Sequence, residues 1–278
     1  MDITRRRAAA VTPATLTRRW QEDRYVTPAA SDPRTVWRTE ARLWELLPGD
    51  FTGIDLSPVA PLGTCSAVGT VSQDRVISTT RGSEVVSDPT NVLALEAARR
   101  RRRQPKPDPV HLATCHRVLR AQPFDAPGFI QHFRLFALVT SARDTGSART
   151  EAAMLATHLR FWTTALADLV PGRHAEVSYT VFGFPPLADR LRDTVRPALQ
   201  GPLPGNVTIT EDPARTHARG YYERGAIKIH VAAGDGWQEI GDGGFTDWTA
   251  QFNNDAKERC FTSCIATERL AELTAQAP

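Results

Sequence analysis

Apolar positions recur along this chain with two periods, and the switches between them mark out its elements. Val36, Trp37, Ala41, Trp44 and Leu47 keep helical spacing behind Asp32-Pro33, an N-cap with proline at the first helical position; Pro48-Gly49 ends the run. The spacing predicts a helix over 33–47. Ala152 to Leu169 is the most regular amphipathic helix, with Met154, Leu155, Leu159, Trp162, Leu166 and Leu169 in phase. Asp88-Pro89 caps a third helix through Leu93, Leu95, Ala97 and Ala98, and a fourth lies around Leu187 to Leu199. Alternating or strand-like runs occur at Arg75–Thr80, Glu84–Val86, His111–Arg120, Phe129–Val139, Glu176–Phe182, Val207–Thr210 and Ala226–Val231. Arg81-Gly82 reads as the turn of the first pair. Phe51, Ile54 and Leu56 run into Pro58 and Pro61, an extended stretch that is not a central strand throughout.

Breaks fall between these runs. Residues 1 to 30 are basic and alanine-rich, with Pro13 and Pro28, and read as a loosely held arm with one helix near Leu16 to Tyr25; residues 31 to 278 form one domain. Pro105, Pro107 and Pro109 predict a stiff linker, and Ala121 to Gly128 and Gly201 to Asn206 predict loops. Gly241-Asp-Gly-Gly-Phe-Thr-Asp-Trp248 reads as a glycine-dense turn after a strand, followed by the small residues Thr262, Cys264 and Ala266 and an apolar helical tail. Strands and helices follow each other without a regular βαβ rhythm, and no GxGxxG motif follows a strand. A Rossmann fold is therefore unsuitable, and the expected class is α+β: a mainly antiparallel sheet flanked by helices.

Composition narrows the partners. The 41% hydrophobic and 23% charged content is ordinary for a globular chain, and a net charge of +3 argues for no nucleic acid by itself. No apolar run is long enough for a bilayer, and the basic start lacks the apolar core of a signal peptide. Cys65, Cys115, Cys260 and Cys264 are scattered without zinc spacing, which suits reduced thiols in a cytoplasmic protein.

Candidate chemistry rests on arginines. Arg117, Arg120 and Arg134 lie on two strands joined by a polar loop, where they can hold an anion over a sheet face with Phe133 stacking on a planar ring; the alternative is a hairpin whose arginines reach solvent. Arg269 follows the small-residue row and offers a guanidinium fork to phosphate or carboxylate, the alternative being a packed C-terminal helix. Arg99 to Arg103 is a solvated helix end or a phosphate contact.

Together these segments resemble the catalytic core of class II aminoacyl-tRNA synthetases and biotin ligases, most closely the histidyl type, in order from about residue 32 to 273. The helix over 33–47 with Ile54-Asp-Leu-Ser-Pro58 looks like motif 1, which implies a homodimer. Val86-Ser-Asp-Pro-Thr90 stands where the histidyl type has an Arg-Pro-Glu-Gly-Thr element, so Asp88 and Thr90 would grip the α-amino group. Val118-Leu-Arg-Ala-Gln122 with His132-Phe133 is similar to motif 2: Arg120 would clamp the α-phosphate and carboxylate, Phe133 would stack on adenine, and Gln122 replaces the usual glutamate. Gly220-Tyr-Tyr-Glu-Arg-Gly-Ala-Ile-Lys-Ile229 looks like the family's double-tyrosine strand, with Tyr221 and Tyr222, and Gly243 and Gly244 open a segment similar to its Gly-Gly-Arg-Tyr-Asp turn. Ala266-Thr-Glu-Arg-Leu270 resembles motif 3, with Glu268 and Arg269 on ATP.

The departures are specific. Thr262, Cys264 and Ala266 replace the motif 3 glycines, Phe245 and Thr246 replace an arginine and a tyrosine, and the arginine and aspartate before the double tyrosine are not cleanly present: Arg219 stands two residues before Tyr221 and His217 four. The chain ends shortly after Arg269, without the anticodon-binding domain expected of a tRNA synthetase. The resemblance implies ATP and Mg²⁺, with Glu239 or Asp242 as a carboxylate near the metal and Cys264 either lining the pocket or buried and inert. The expected function is a stand-alone ligase that adenylates an amino acid and passes it to a carrier protein or small molecule. A silent regulatory paralogue, like the synthetase-like subunit of ATP phosphoribosyltransferase with its enzyme partner, ranks second. A tRNA-binding accessory using Arg99 to Arg103 ranks third.

Overall fold

The structure is a computed structural model and describes residues 2–69, 71–79, 81–103, 108–122, 130–200, 203, 205–234 and 236–275. Helices α1 (Asp2–Ala9) and α2 (Pro13–Glu22) make the arm, and α3 (Pro33–Leu46) starts at the expected Asp32 cap, whose carboxylate accepts from Arg34 N at 3.1 Å. Strands β1 (Phe51–Gly53), β2 (Val59–Pro61) and β3 (Ser83–Val85) lead to α4 (Pro89–Arg103). Strands β4 (Val110–Leu119) and β5 (His132–Arg143), helix α5 (Arg149–Leu169) and strand β6 (Ala175–Val181) follow. Helices α6 (Pro185–Arg190) and α7 (Arg196–Gln200) flank a π-helical turn at Leu191–Val195. The chain then forms β7 (Val207–Glu211), β8 (Gly225–Ala233), β9 (Gly236–Thr246), α8 (Trp248–Asn253), β10 (Glu258–Ala266) and α9 (Thr267–Ala275).

Among the described residues an 8-stranded sheet runs β1-β4-β5-β10-β9-β8-β6-β7, antiparallel except at the outer pairs β1/β4 and β6/β7. This is the expected antiparallel floor. On one face α5 packs Leu155, Leu159, Phe161 and Trp162 against Phe136, Leu138, Ile229 and Phe261. On the other, α4 and α8 press Leu93, Ala97 and Trp248 onto Leu112, Ala137, Val139 and Cys260. Each face thus has its own apolar cluster. No helix among the described residues is long and apolar enough to cross a membrane.

Two expectations are corrected. The glycine segment at 241–246 is not a turn but the second half of central strand β9, paired with β10 from Gly241↔Ile265 to Thr246↔Cys260. A Cβ on Gly241 would lie 2.2 Å from the Cys264 carbonyl oxygen, and one on Gly243 2.4 Å from that of Thr262. The glycines are needed for a close strand approach, which only a neighbour far along the chain reveals. The other correction is Arg75–Thr80, expected as a strand. Gln73–Arg75 is a 3-10 turn capped by Ser72, and only the second half pairs: Ser78 bridges to Glu84, Thr79 N donates to Ser83 O at 2.7 Å and Val85 N to Ile77 O at 2.8 Å, around the expected Arg81-Gly82 turn. The Arg75 carbonyl accepts from Ala121 N at 3.0 Å instead of joining a ladder. Thr80, Pro105, Pro107, most of the 121–128 loop, Phe129 and parts of the 201–206 loop lie outside the described residues.

The arginine run at the end of α4 is largely built into the fold. Arg99 and Arg100 pair with Glu96, and Arg102 reaches Asn253 at 2.7 Å. Arg101 is buried in a two-pronged pair with Glu258, at 3.0 and 3.1 Å, and donates to the Asp108 carbonyl at 2.7 Å. Under α5 a hydrogen-bonded row crosses the sheet: His111 to Thr140 at 2.9 Å, Thr140 to His158 at 2.9 Å, His158 to Ser263 at 2.7 Å, and Trp162 Nε1 to Ser263 at 2.7 Å. Burial pushes the His158 imidazole well below its ordinary value, with His111 adding to the effect.

Two predictions follow from this packing. Arg101→Ala leaves Glu258 buried without its partner, and equilibrium unfolding should show a loss of about 3 kcal/mol. Arg103→Ala, at an exposed position, should change stability by less than about 0.5 kcal/mol. For His158 the folded state resists protonation, so the unfolded chain binds more protons once pH falls below the ordinary 6.5. Stability is full above that value and declines as pH is lowered from 7.5 to 5.5; His158→Gln should flatten the decline, and an unchanged slope would count against a neutral His158.

Candidate functional site

The face of the sheet covered by α4 and α8 continues past them over β8, β9 and β10, and the side chains there form the site. Cys264, Asp242 and Lys228 stand abreast on β10, β9 and β8; Thr262, Gly244 and Ala226 form the next row. Gly244 must be glycine because a Cβ would lie 2.4 Å from the Tyr222 ring, which rests on this strand. Tyr222 is brought there by a tight turn in which Ala218 has φ +65° and Gly220 φ +89°, with Tyr222 N donating to the Ala218 carbonyl at 2.9 Å. Tyr221 packs edge-on against Tyr222 at 4.9 Å and Trp248 at 5.8 Å. Burial raises both phenols well above their usual range, so both remain protonated donors near neutrality.

Arg120 leaves the end of β4 toward this face. Leu119 N donates to Val86 O at 3.1 Å and Arg120 N to Gln131 O at 2.8 Å, which fixes its backbone against the segment before α4. Its guanidinium donates from Nε to Ser87 O at 3.1 Å, lies 3.9 Å from the Asp88 carboxylate, and sits 5.1 Å from the centre of the Phe133 ring. Asp88 itself caps α4: one oxygen accepts from Thr90 N at 2.9 Å and Thr90 Oγ1 at 2.7 Å, and the other faces Arg120. Thr90, buried, therefore orients Asp88. Gln122 follows two positions after Arg120, beside residues outside the description.

Arg269 approaches from the first turn of α9 and donates from Nη1 to Glu239 O at 3.2 Å. Burial lowers its pKa, Glu239 and Glu272 oppose the shift, and the like charge of Arg120 adds to it. The guanidiniums of Arg120 and Arg269 thus lie close enough for each to act on the other's field. The other arginines of this region are taken up by carboxylates. Arg134 is held by Glu40 at 2.6 and 2.7 Å, with Thr267 bonded to the same carboxylate, locking β5 and α9 to α3. Arg117 is held by Glu268 at 2.7 Å, and Glu268 also accepts from Arg134 N at 3.2 Å. Glu268 and Arg117 are thereby directed at each other.

The acidic residues divide between the two ends of the site. Glu239 pairs with Lys228 at 3.0 Å and lies 3.8 Å from His230, on the side of Arg269. Asp242 lies near Asp88. Burial raises its pKa to about 6, Asp88 adds to the rise, Arg215 opposes it, and Glu239 and Arg120 contribute less. No three His, Cys, Asp or Glu side chains gather as a metal centre among the described residues. Both thiols near Asp88 resist ionisation. Burial raises Cys65 to about 11 and Cys264 well above its usual value, with Asp88 adding in each case.

Sequence reasoning missed three contributors. Arg215, buried, is separated from the motifs by local order alone. Tyr25 donates its hydroxyl to Ala121 O at 2.6 Å, next to Arg120. His132 bridges the arm to Arg117, with Nε2 donating to Thr27 O at 2.7 Å and Nδ1 facing Arg117 at 2.9 Å. The arm, although no side chain of α2 is buried, is thus stitched to the loop that carries Arg120. No short motif signals such contacts.

No protein-family model matches the chain, and no curated protein matches it in sequence. Solved structures do. The apo histidyl-tRNA synthetase of S. aureus superposes with a TM-score of 0.61 at 13% identity, over 87% of this chain and 66% of that one, just under two thirds of its length. A protein of Bacillus halodurans described as an ATP phosphoribosyltransferase regulatory subunit/histidyl-tRNA synthetase gives 0.60 at 13% identity, over 87% and 79%. A histidine–tRNA ligase subunit of Alicyclobacillus acidocaldarius gives 0.62 at 15% identity, over 89% and 96%. At these identities the likeness is one of architecture: the chain has a class II aminoacyl-tRNA synthetase-like fold.

Proposed function

We propose that this chain is an adenylate-forming ligase that activates an amino acid with Mg·ATP and transfers it to an acceptor other than tRNA, a carrier-protein thiol or a small amine. The observation that carries this reading is Arg120 set 3.9 Å from the Asp88 carboxylate, with Arg269, far along the chain, near enough for the two like charges to act on each other. Adenylation brings two anions together, the amino-acid carboxylate and the α-phosphate, and builds negative charge at phosphorus. Fixed guanidiniums lower that barrier without a covalent step.

In this reading Arg120 lies between the carboxylate and the α-phosphate, Arg269 holds the far end of a bent triphosphate, and adenine stacks on Phe133 with Gln122 at its edge. The carboxylate oxygen attacks the α-phosphorus, pyrophosphate leaves, and no proton need be removed from the attacking group. The α-ammonium takes the free oxygen of Asp88, held by Thr90, and in doing so displaces Arg120 toward the phosphate. A magnesium ion would be held by the nucleotide with Glu239 or Asp242 nearby, and would supply charge neutralisation at the phosphates. Tyr221, Tyr222, Asp242, Cys264 and the bare backbone of Gly243 and Gly244 form the amino-acid end, and Glu268 steadies the strand end through Arg117. Pairing of two copies along α3, whose Trp37 is 63% exposed, is part of the same proposal.

A second reading, a regulatory subunit that binds an amino acid without activating it, is favoured by Arg120 resting on Ser87 O and Asp88, and by side chains at 262, 264 and 266 where a nucleotide would lie. A tRNA-binding role loses its motive, because Arg99 to Arg102 already have protein partners.

ATP–pyrophosphate exchange measured across the amino acids separates the readings. Exchange with at least one amino acid is expected, and Arg120→Ala and Arg269→Ala should each lower it by at least about 100-fold while the melting temperature stays within a few degrees. Amino-acid binding without exchange, together with co-purification of an enzyme partner, would replace the ligase reading with the regulatory one.

A further inference from the structure

Arg120 and Arg269 both leave the sheet where its ladder stops. The last pair of β4 is Leu119↔His132 and the last pair of β10 is Ala266↔Leu135, both at the start of β5. Beyond these pairs strand register no longer fixes how far apart the two arginines stand. Residues 25 to 31 touch both sides of that gap. Tyr25 donates its hydroxyl to Ala121 O at 2.6 Å, one residue past Arg120. Ser31 donates to the Glu272 carboxylate at 3.2 Å, on α9 three residues past Arg269. Between them, Thr27 O accepts from His132 Nε2 at 2.7 Å. The segment is also held at its own ends. Asp23 closes α2 with a turn, its carbonyl accepting from Val26 N at 3.0 Å and Thr27 N at 3.1 Å and its carboxylate from Tyr25 N at 2.9 Å; Asp32 caps α3.

The partners of His132 leave one arrangement of its protons. A carbonyl oxygen only accepts, so Nε2 carries a hydrogen for Thr27 O; a guanidinium only donates, so Nδ1 is bare toward Arg117 Nη1 at 2.9 Å. The other prong of Arg117 donates to Glu268 at 2.7 Å, the residue before Arg269, and the second oxygen of Glu268 accepts from Arg134 N at 3.2 Å. On its other side His132 follows Gln131, whose carbonyl accepts from Arg120 N at 2.8 Å. One neutral imidazole therefore joins the arm, the backbone that presents Arg120 and the first turn of α9.

We propose that residues 25–31 are a strap that sets the spacing of Arg120 and Arg269, and that His132, with its proton on Nε2, is the positioning residue that fastens the strap to both. This deepens the proposed function and rests on the part of it in which the two arginines grip one nucleotide. Such a grip depends on separation more than on affinity for either end: a displacement of about 1 Å arising away from the chemistry can cost on the order of 100-fold in rate. Glutamine offers a donor and an acceptor on one planar group, as the neutral imidazole does, whereas alanine removes both.

Pyrophosphate exchange and backbone amide hydrogen exchange, measured on the full chain with His132→Ala and His132→Gln, test the strap. His132→Ala should lower kcat for pyrophosphate exchange by about 10-fold or more while KM for the amino acid moves by less than about 3-fold, and His132→Gln should bring kcat back to within about 3-fold of the unsubstituted chain. Amides around Arg120 and around Arg269 should both exchange at least about 5-fold faster in His132→Ala and recover in His132→Gln. Long-range nitrogen–proton correlation spectra should place the His132 proton on Nε2. Thermal unfolding reports that each variant folds. If the unsubstituted chain performs no pyrophosphate exchange with any amino acid, the ligase reading fails, and amide exchange with the imidazole spectrum decides the strap. Faster amide exchange at only one of the two segments or at neither, no recovery with glutamine, or a proton on Nδ1 would overturn the strap, as would an unchanged kcat in a chain that performs the exchange.

Discussion

Close contact between β9 and β10 determines where Asp242, Cys264 and the bare backbone of the central strands stand. Side chains at Gly241 and Gly243 would run into the carbonyl oxygens of Cys264 and Thr262, so the two strands reach their register only where β9 lacks Cβ atoms. That register sets Asp242 beside Cys264 and leaves Gly244 bare under Tyr222. Where β10 ends, α9 begins, and Arg269 is delivered one turn beyond the strand. An alanine at 243 would have to move backbone on both strands, displacing the floor and the arginine together.

Charge compensation then sorts the arginines on this framework. Arg134 with Glu40, Arg101 with Glu258, Arg259 with Asp144 and Glu151, and Arg224 with the same Glu151 join helices to the sheet. Breaking such a pair strands a charge, which is why these positions fix how α3, α4 and α5 sit. Arg120 has only a 3.9 Å approach to Asp88 and a backbone carbonyl, and Arg215 has two backbone carbonyls.

Local signals revealed the elements well. The helical spacing from Val36 to Leu47, the Asp88 cap and the alternation of Ala226 to Val231 each report on neighbours within one element, and each is present as read. Glycine density between 241 and 244 was legible as a need for backbone approach, but its local meaning is a turn. Only the facing strand, some twenty residues on, makes it a strand feature. The same limit applies to the arginines. Nothing near Arg134 in the chain announces Glu40, and nothing near Glu268 announces Arg117. The expectation that residues 120 and 269 converge rests on the order of motifs, not on periodicity, while Arg215 and Tyr25 bond to backbone carbonyls that leave no trace in residue type.

The central claim is that Arg120 and Arg269 grip one nucleotide over the glycine-bearing strand. A crystal structure of the full chain soaked with a non-hydrolysable ATP analogue and magnesium tests it directly. The account predicts a bent triphosphate on this face with Arg120 at its α-phosphate and Arg269 at its far end, Arg120 having left Asp88. A nucleotide bound elsewhere, or one touching only one of the two arginines while the other keeps its present contacts, would contradict it.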